Sequence, residues 1–131
     1  MKKINILGVG NALVDKQFLI EDSFLDDISI NKGTMGLCEP NFQEQLFKKL
    51  SKYYKDSQDA CGGSATNTIF AASSLGSNCG FLGKVARDSN GKFYKKDLEE
   101  IGIQNNIISD GEENTGTCLI MISPDAERTM S

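Results

Sequence analysis

The stretch that most constrains the fold is Cys61-Gly62-Gly63-Ser64-Ala65-Thr66-Asn67-Thr68-Ile69-Phe70-Ala71-Ala72-Ser73-Ser74-Leu75-Gly76. A glycine pair opens a helix built almost wholly from small residues. Ser64 is placed to cap it, its side-chain oxygen meeting a free N–H of the first turn. Asn67 then falls at the third helical position, where asparagine more often has a local or ligand-facing job than a filling one. The glycines permit φ above zero, or let backbone come close to something bulky. Ala65, Ala71, Ala72, Ser73 and Ser74 make a thin helix that can lie tight against a sheet. Two readings fit. One is a loop-to-helix junction with a close packing face. The other is a small-molecule site at a helix N-terminus, where free N–H groups and the dipole favour polar or anionic groups.

The flanking sequence supplies a sheet for that helix. Residues 4–9 are a short apolar run that stops at Gly10, which suits a buried parallel strand. Residues 79–85 read as a second strand. Strand, helix and strand at this spacing predict a right-handed parallel crossover. Asp88 can cap a helix over residues 89–101, with Tyr94, Leu98 and Ile101 on one face and Gly102 at its end. Pro40-Asn41 starts another helix, with Asn41 and Glu44 at capping-box spacing. Its apolar face is Leu46, Phe47, Leu50, Tyr53 and Tyr54. A helical turn is expected at residues 21–28 and a linker at 57–60. Extended segments are expected at 14–20, 33–38, 107–108, 117–122 and 128–131, with a turn at 123–127. Asp15 stands just past the exit of the first strand. It is either a turn or edge residue, or a carboxylate where open α/β sheets bind ligands.

Composition removes several function classes. At 131 residues the chain can bury roughly two-thirds of its unfolded surface in one domain. Glycine is 13 of 131, which favours turns and close backbone approaches over a helical bundle. Net charge is −4 and Arg87 and Arg128 are the arginines, so no basic stripe points to nucleic acid. The lysines of residues 48–55 spread round a helix as a solvated face. Histidine is absent, which excludes His triads, His metal sites and His proton shuttles. Cys38, Cys61, Cys79 and Cys118 have no metal-ligand spacing and are expected as buried, reduced thiols of a cytoplasmic protein. No metal site is expected. Residues 4–9 are too short for a signal-peptide core, and no stretch has the length of a membrane span. A dinucleotide fingerprint fails at Leu13, where its third glycine would stand. Gly83-Lys84 and Gly91-Lys92 lack the context of a P-loop.

Four segments, in order, carry a resemblance. They are Gly8-x-Gly10-Asn11-x-x-x-Asp15; Gly62-Gly63-Ser64-x-x-Asn67; Gly83-Lys84-Val85-Ala86-Arg87-Asp88-x-x-Gly91; and Thr115-Gly116-Thr117 followed by Ser123-Pro124-Asp125-Ala126-Glu127-Arg128-Thr129. Together they resemble the ribokinase-like (PfkB) family of carbohydrate and nucleoside kinases, adenosine-kinase-like members in particular. Ala86 and Ala126 stand where glycine is usual. The resemblance covers essentially the whole chain.

It implies an α/β fold: the N-terminal part of a ribokinase-like three-layer αβα core with a small β-sheet lid, truncated before the nucleotide-binding half. The whole of residues 1–131 is then one part of one domain, with lid strands from about 14–38 and 107–131 inserted around the core. The lid sheet would use residues 15–20, 33–38 and 117–131. The implied reaction is ATP-dependent phosphorylation of a hydroxymethyl group on an adenosine-like nucleoside or a sugar. Asp15 would bind the vicinal ring hydroxyls, since a carboxylate accepts from two at once. Asn67 would meet the same hydroxyls, Gly63 and Ser64 would lie against the sugar, and Asn11 would reach the nucleoside. Gly62 and Gly63 would hinge the lid, which excludes water when closed. No catalytic residue is assigned. The base, the phosphoryl donors and the site for ATP and Mg²⁺ belong to a later Gly-Ala-Gly-Asp motif and a nucleotide-binding half that residues 1–131 do not contain. No nucleic-acid or membrane partner is implied, and the exposed lid sheet is suited to pair with a second copy. A reading from another class is a non-catalytic sugar- or nucleoside-binding or β-sheet dimerisation module, which shares Asp15 and Asn67 but needs no downstream half.

Overall fold

A computed structural model describes residues 3–55, 57–111 and 113–131. They fall into two compact units: Met1–Val14 with Ala60–Thr117, and Asp15–Asp59 with Cys118–Ser131.

The first unit is the expected crossover. The apolar run forms β1 (Ile6–Val9), the small-residue segment forms α3 (Ser64–Ser74), and β4 (Cys79–Val85) pairs in parallel with β1. α4 (Ser89–Glu100) leads to β5 (Gln104–Ser109), which pairs in parallel with the other edge of β4. α3 packs on β1 and β4, and α4 packs on β5. The approach of α3 is close because β1 has no side chain in the way. A Cβ on Gly8 would lie 2.7 Å from Ile69 Cγ2, and one on Gly10 would lie 3.0 Å from Ala65 Cβ. The core between helices and sheet holds Ile69, Phe81, Tyr94, Leu98 and Ile103. Leu7, Val9, Leu82 and Ile108 remain exposed. Ile101, expected on the buried face of α4, is exposed at the helix C-cap, where the chain turns away through Gly102 at φ 84°. Residues 107–108, expected among the lid strands, belong to β5 of this parallel sheet.

The second unit holds most of a sheet of order β3-β2-β6-β7. Its strands are β2 (Leu13–Leu19), β3 (Gln58–Gly62), β6 (Gly116–Ile122) and β7 (Arg128–Met130), the last antiparallel to β6. α1 (Asp22–Asp27) and α2 (Pro40–Tyr53) complete it. Phe18, Leu119 and Met121 from the strands pack with Phe24, Leu25, Leu46 and Leu50 from the helices. Four features of this unit differ from expectation. Residues 57–60 are not a linker: 58–60 belong to β3, and Lys16 of β2 holds Asp59 of β3 at 2.9 Å. Residues 33–38 are not a full strand. Met35 alone bridges Met130, with Gly36 N–H donating to the Met130 carbonyl at 3.1 Å and Met130 N–H to Thr34 at 2.9 Å. Residues 33–37 are all exposed, so no buried face holds a longer ladder in register. The Asn41–Glu44 capping box does not form. Pro40 takes the first helical position, Glu39 becomes the N-cap without a side-chain bond, and Glu44 instead pairs with Lys48 at 2.6 Å. The α2 face is also narrower than expected: Leu46 and Leu50 are buried, Phe47 sits edge-on to Phe18 at 6.1 Å, and Tyr53 is exposed.

Among the described residues, no helix is long and apolar enough to cross a membrane. None of the four cysteines forms a disulfide. Cys61 and Cys79 are buried as expected, while Cys38 and Cys118 are only half-buried.

Candidate functional site

In the first unit the glycine pair is where strand becomes helix. Gly62 is buried at the end of β3. Gly63 is the N-cap of α3 at φ 101°, a conformation that favours glycine. The expected cap at Ser64 is therefore corrected: Ser64 is the first helical residue and its side chain does not cap. The positive φ moves the start of the helix one residue earlier. Asn67 accordingly sits at the fourth position, its N–H donating to the Gly63 carbonyl at 2.9 Å. Gly63 brings no side chain, so the first-turn N–H groups have no side-chain acceptor of their own.

Asn11 lies in the turn between β1 and β2. Its carbonyl oxygen would be 2.8 Å from a Cβ on Gly63, and the neighbouring Gly10 is against Ala65. The structure thus brings the Asn11 turn onto the first turn of α3. The side chains of Asn11, Ser64 and Asn67 are all exposed at that end of the unit. Beneath them runs a buried relay missed at the level of sequence. Tyr94 of α4 donates from its hydroxyl to the Gly62 carbonyl at 3.3 Å and is hydrogen-bonded to the Thr66 hydroxyl. Neither Tyr94 nor Thr66 has measurable exposure. The signal was available only as a polar tip on a residue that helical spacing assigned to the core.

A second clasp ties the third and fourth motif segments together. Asp88 caps α4 by accepting from Gly91 N–H at 2.8 Å, and accepts from both the N–H (2.8 Å) and the hydroxyl (2.6 Å) of Thr115. Thr115 in turn accepts from Ala86 N–H at 3.0 Å. Burial alone would raise the Asp88 carboxyl, but the bonds from Thr115 and Gly91 outweigh it and hold it below its ordinary value.

Asp15 belongs to the second unit, on β2, half-buried. Burial pushes its carboxyl above the ordinary value, and the nearby Arg128 guanidinium opposes that rise. Burial likewise pushes the Cys118 thiol up, with Asp15 and Cys38 adding to it. A carboxylate, a guanidinium and two thiols therefore share one electrostatic neighbourhood. Among the described residues, no group of three or more Cys, Asp or Glu is arranged to hold a metal ion.

A family profile described as pfkB family carbohydrate kinase matches residues 38–131. The chain belongs to the pfkB family. Its fold is the ribokinase-like α/β fold: the adenosine kinase of Sinorhizobium meliloti superposes with a TM-score of 0.82 at 33% identity, over 98% of this chain and 38% of that one. Adenosine kinase 2 of Arabidopsis thaliana is 26% identical over 120 residues, 89% of this chain and 34% of the relative. The 5-dehydro-2-deoxygluconokinase of Halalkalibacterium halodurans is 34% identical over 97 residues, 72% of this chain and 27% of the relative. This pfkB chain thus spans about a third of the length of such relatives.

Proposed function

We propose that the chain supplies the substrate-binding and lid portion of a kinase that uses ATP and Mg²⁺ to phosphorylate a hydroxymethyl group on an adenosine-like nucleoside or a sugar. The observation that carries this reading is the exposed cluster of Asn11, Ser64 and Asn67 around a helix that begins on Gly63. An uncapped first turn accepts hydroxyl or anionic oxygens, and Asn67 offers both a donor and an acceptor to a sugar hydroxyl. Gly63 has no side chain, which lets the Asn11 turn close onto the first turn of α3. Asp15 is the second recognition group, accepting from vicinal hydroxyls with a partly desolvated carboxylate, where such bonds are stronger than in water. The reaction's base and its ATP and Mg²⁺ site lie outside these residues, and the residues here bind, orient and exclude water.

The test is titration calorimetry on the gene product that carries this chain, with adenosine and a panel of sugars. Adenosine-class binding is expected, weakened about tenfold or more by Asn67→Ala and by Asp15→Asn. Equal affinity of both variants and the parent for every ligand would refute the site.

A further inference from the structure

The Tyr94 hydroxyl is a polar group in a place where packing asks for none. Its ring fills the first core and meets Phe81 at 5.8 Å between centroids. A phenylalanine would fill the same space. A buried hydroxyl is costly unless bonded, so this one is retained with partners. Those partners flank Gly63: the Gly62 carbonyl on one side, at 3.3 Å, and the Thr66 hydroxyl on the other. The two hydroxyls can donate in sequence, Thr66 O–H to the Tyr94 oxygen and Tyr94 O–H to the Gly62 carbonyl. α4 adds two more grips on the preceding residue. Cys61 N–H donates to Asp97 Oδ2 and Cys61 S–H to the Tyr94 carbonyl, both at 3.4 Å.

Gly63 lies between these anchors at φ 101° with no side chain to restrain it. Its torsions decide where Ser64 and Asn67 are presented. We infer that Tyr94 is a positioning residue: from inside the core, its hydroxyl fixes the Gly62–Gly63 junction and thereby the substrate-facing first turn of α3. The inference rests on the proposed substrate site, but the pinning of the junction is measurable without it.

The experiment uses the gene product carrying this chain, as parent, Tyr94→Phe, Thr66→Val and Thr66→Ser. Amide hydrogen exchange is read over residues 62–67 and over the rest of α3 and α4, beside nucleoside-phosphorylating kinetics. In Tyr94→Phe and Thr66→Val, exchange over residues 62–67 is expected to accelerate about three- to tenfold, with the far ends of both helices unchanged. KM for the nucleoside should rise by a similar factor with kcat little altered. Thr66→Ser, which keeps the hydroxyl, should behave as the parent. The double variant should cost little more than either single one, because both break one relay. Accelerated local exchange in a protein that phosphorylates no nucleoside or sugar would sustain the pinning and refute the substrate site. Unchanged exchange at residues 62–67, or an equal acceleration throughout α3 and α4, would overturn the inference. Should Tyr94→Phe fail to fold, the Thr66 pair carries the same comparison.

Discussion

Asp15 is held where folding alone would not keep a charge. Burial lifts its folded pKa above 3.8, only partly offset by Arg128. A carboxyl whose pKa is raised on folding favours the folded state while protonated. That advantage is lost as pH climbs from 3.8 through the raised value, so at neutral pH the ionised group works against stability. Asp15→Asn should therefore melt higher than the parent at neutral pH, with the difference shrinking below 3.8, while substrate affinity falls. A melting temperature that drops at neutral pH would show the carboxylate to be a structural partner instead. The neighbouring Cys118 follows from the same burial. Its raised thiol pKa makes it a poor nucleophile at neutral pH.

At the scale of elements, helix α4 depends on a single residue for its start. Asp88 satisfies Gly91 N–H and both donors of Thr115, which is itself buried. Asp88→Ala should cost about 1–2 kcal/mol in denaturant unfolding of the chain, more than Asp88→Asn, which keeps one acceptor. Beside its backbone bonds to Met130, the 29–36 loop is clasped by Lys32, which bonds Asp22 and Asp125 at 2.8 Å each. The Lys32 and Ser123 bonds hold Asp125 down to about 2. A depressed carboxyl gives its full contribution above the ordinary value of 3.8 and loses it as pH falls through about 2. The melting-temperature gap between the parent and Lys32→Met should close over that interval, and a gap that persists at its lower end would argue against the clasp. These elements also show what the sequence could say. β1, α3, β4, α4 and the β6–β7 hairpin were legible because apolar periodicity, a capping Asp and turn glycines agreed there. β3 was not, because Gln58-Asp59-Ala60 has no strand pattern of its own and is recruited by pairing with β2 and by Lys16. Residues 33–38 erred the other way: their bounds suit a strand, but no core covers them. In the candidate site, Asn11, Gly63 and Asn67 were readable as motif positions. Thr66 and Tyr94 were not, and Thr115 was readable as a motif position but not as the partner of Asp88, since these roles arise only when distant segments meet.

For the whole chain, the three-stranded parallel sheet carries helices α3 and α4, while Leu7, Val9, Leu82 and Ile108 stay exposed with 49, 64, 38 and 59% of their surface free. Register pairs Val9 with Leu82 and places Ile108 opposite Lys84 on adjacent strands. Parallel sheets are ordinarily covered on both faces. The 131-residue chain by itself is expected to show no ATP-dependent turnover, and phosphorylated nucleoside or sugar in such an assay would place the catalytic groups within it. The bare apolar residues bear on handling as well as on chemistry. Crowding, more than heat, should set the working range of this polypeptide: light scattering is expected to climb with concentration well below the melting temperature, and Val9→Lys with Leu82→Lys should restore clear solutions.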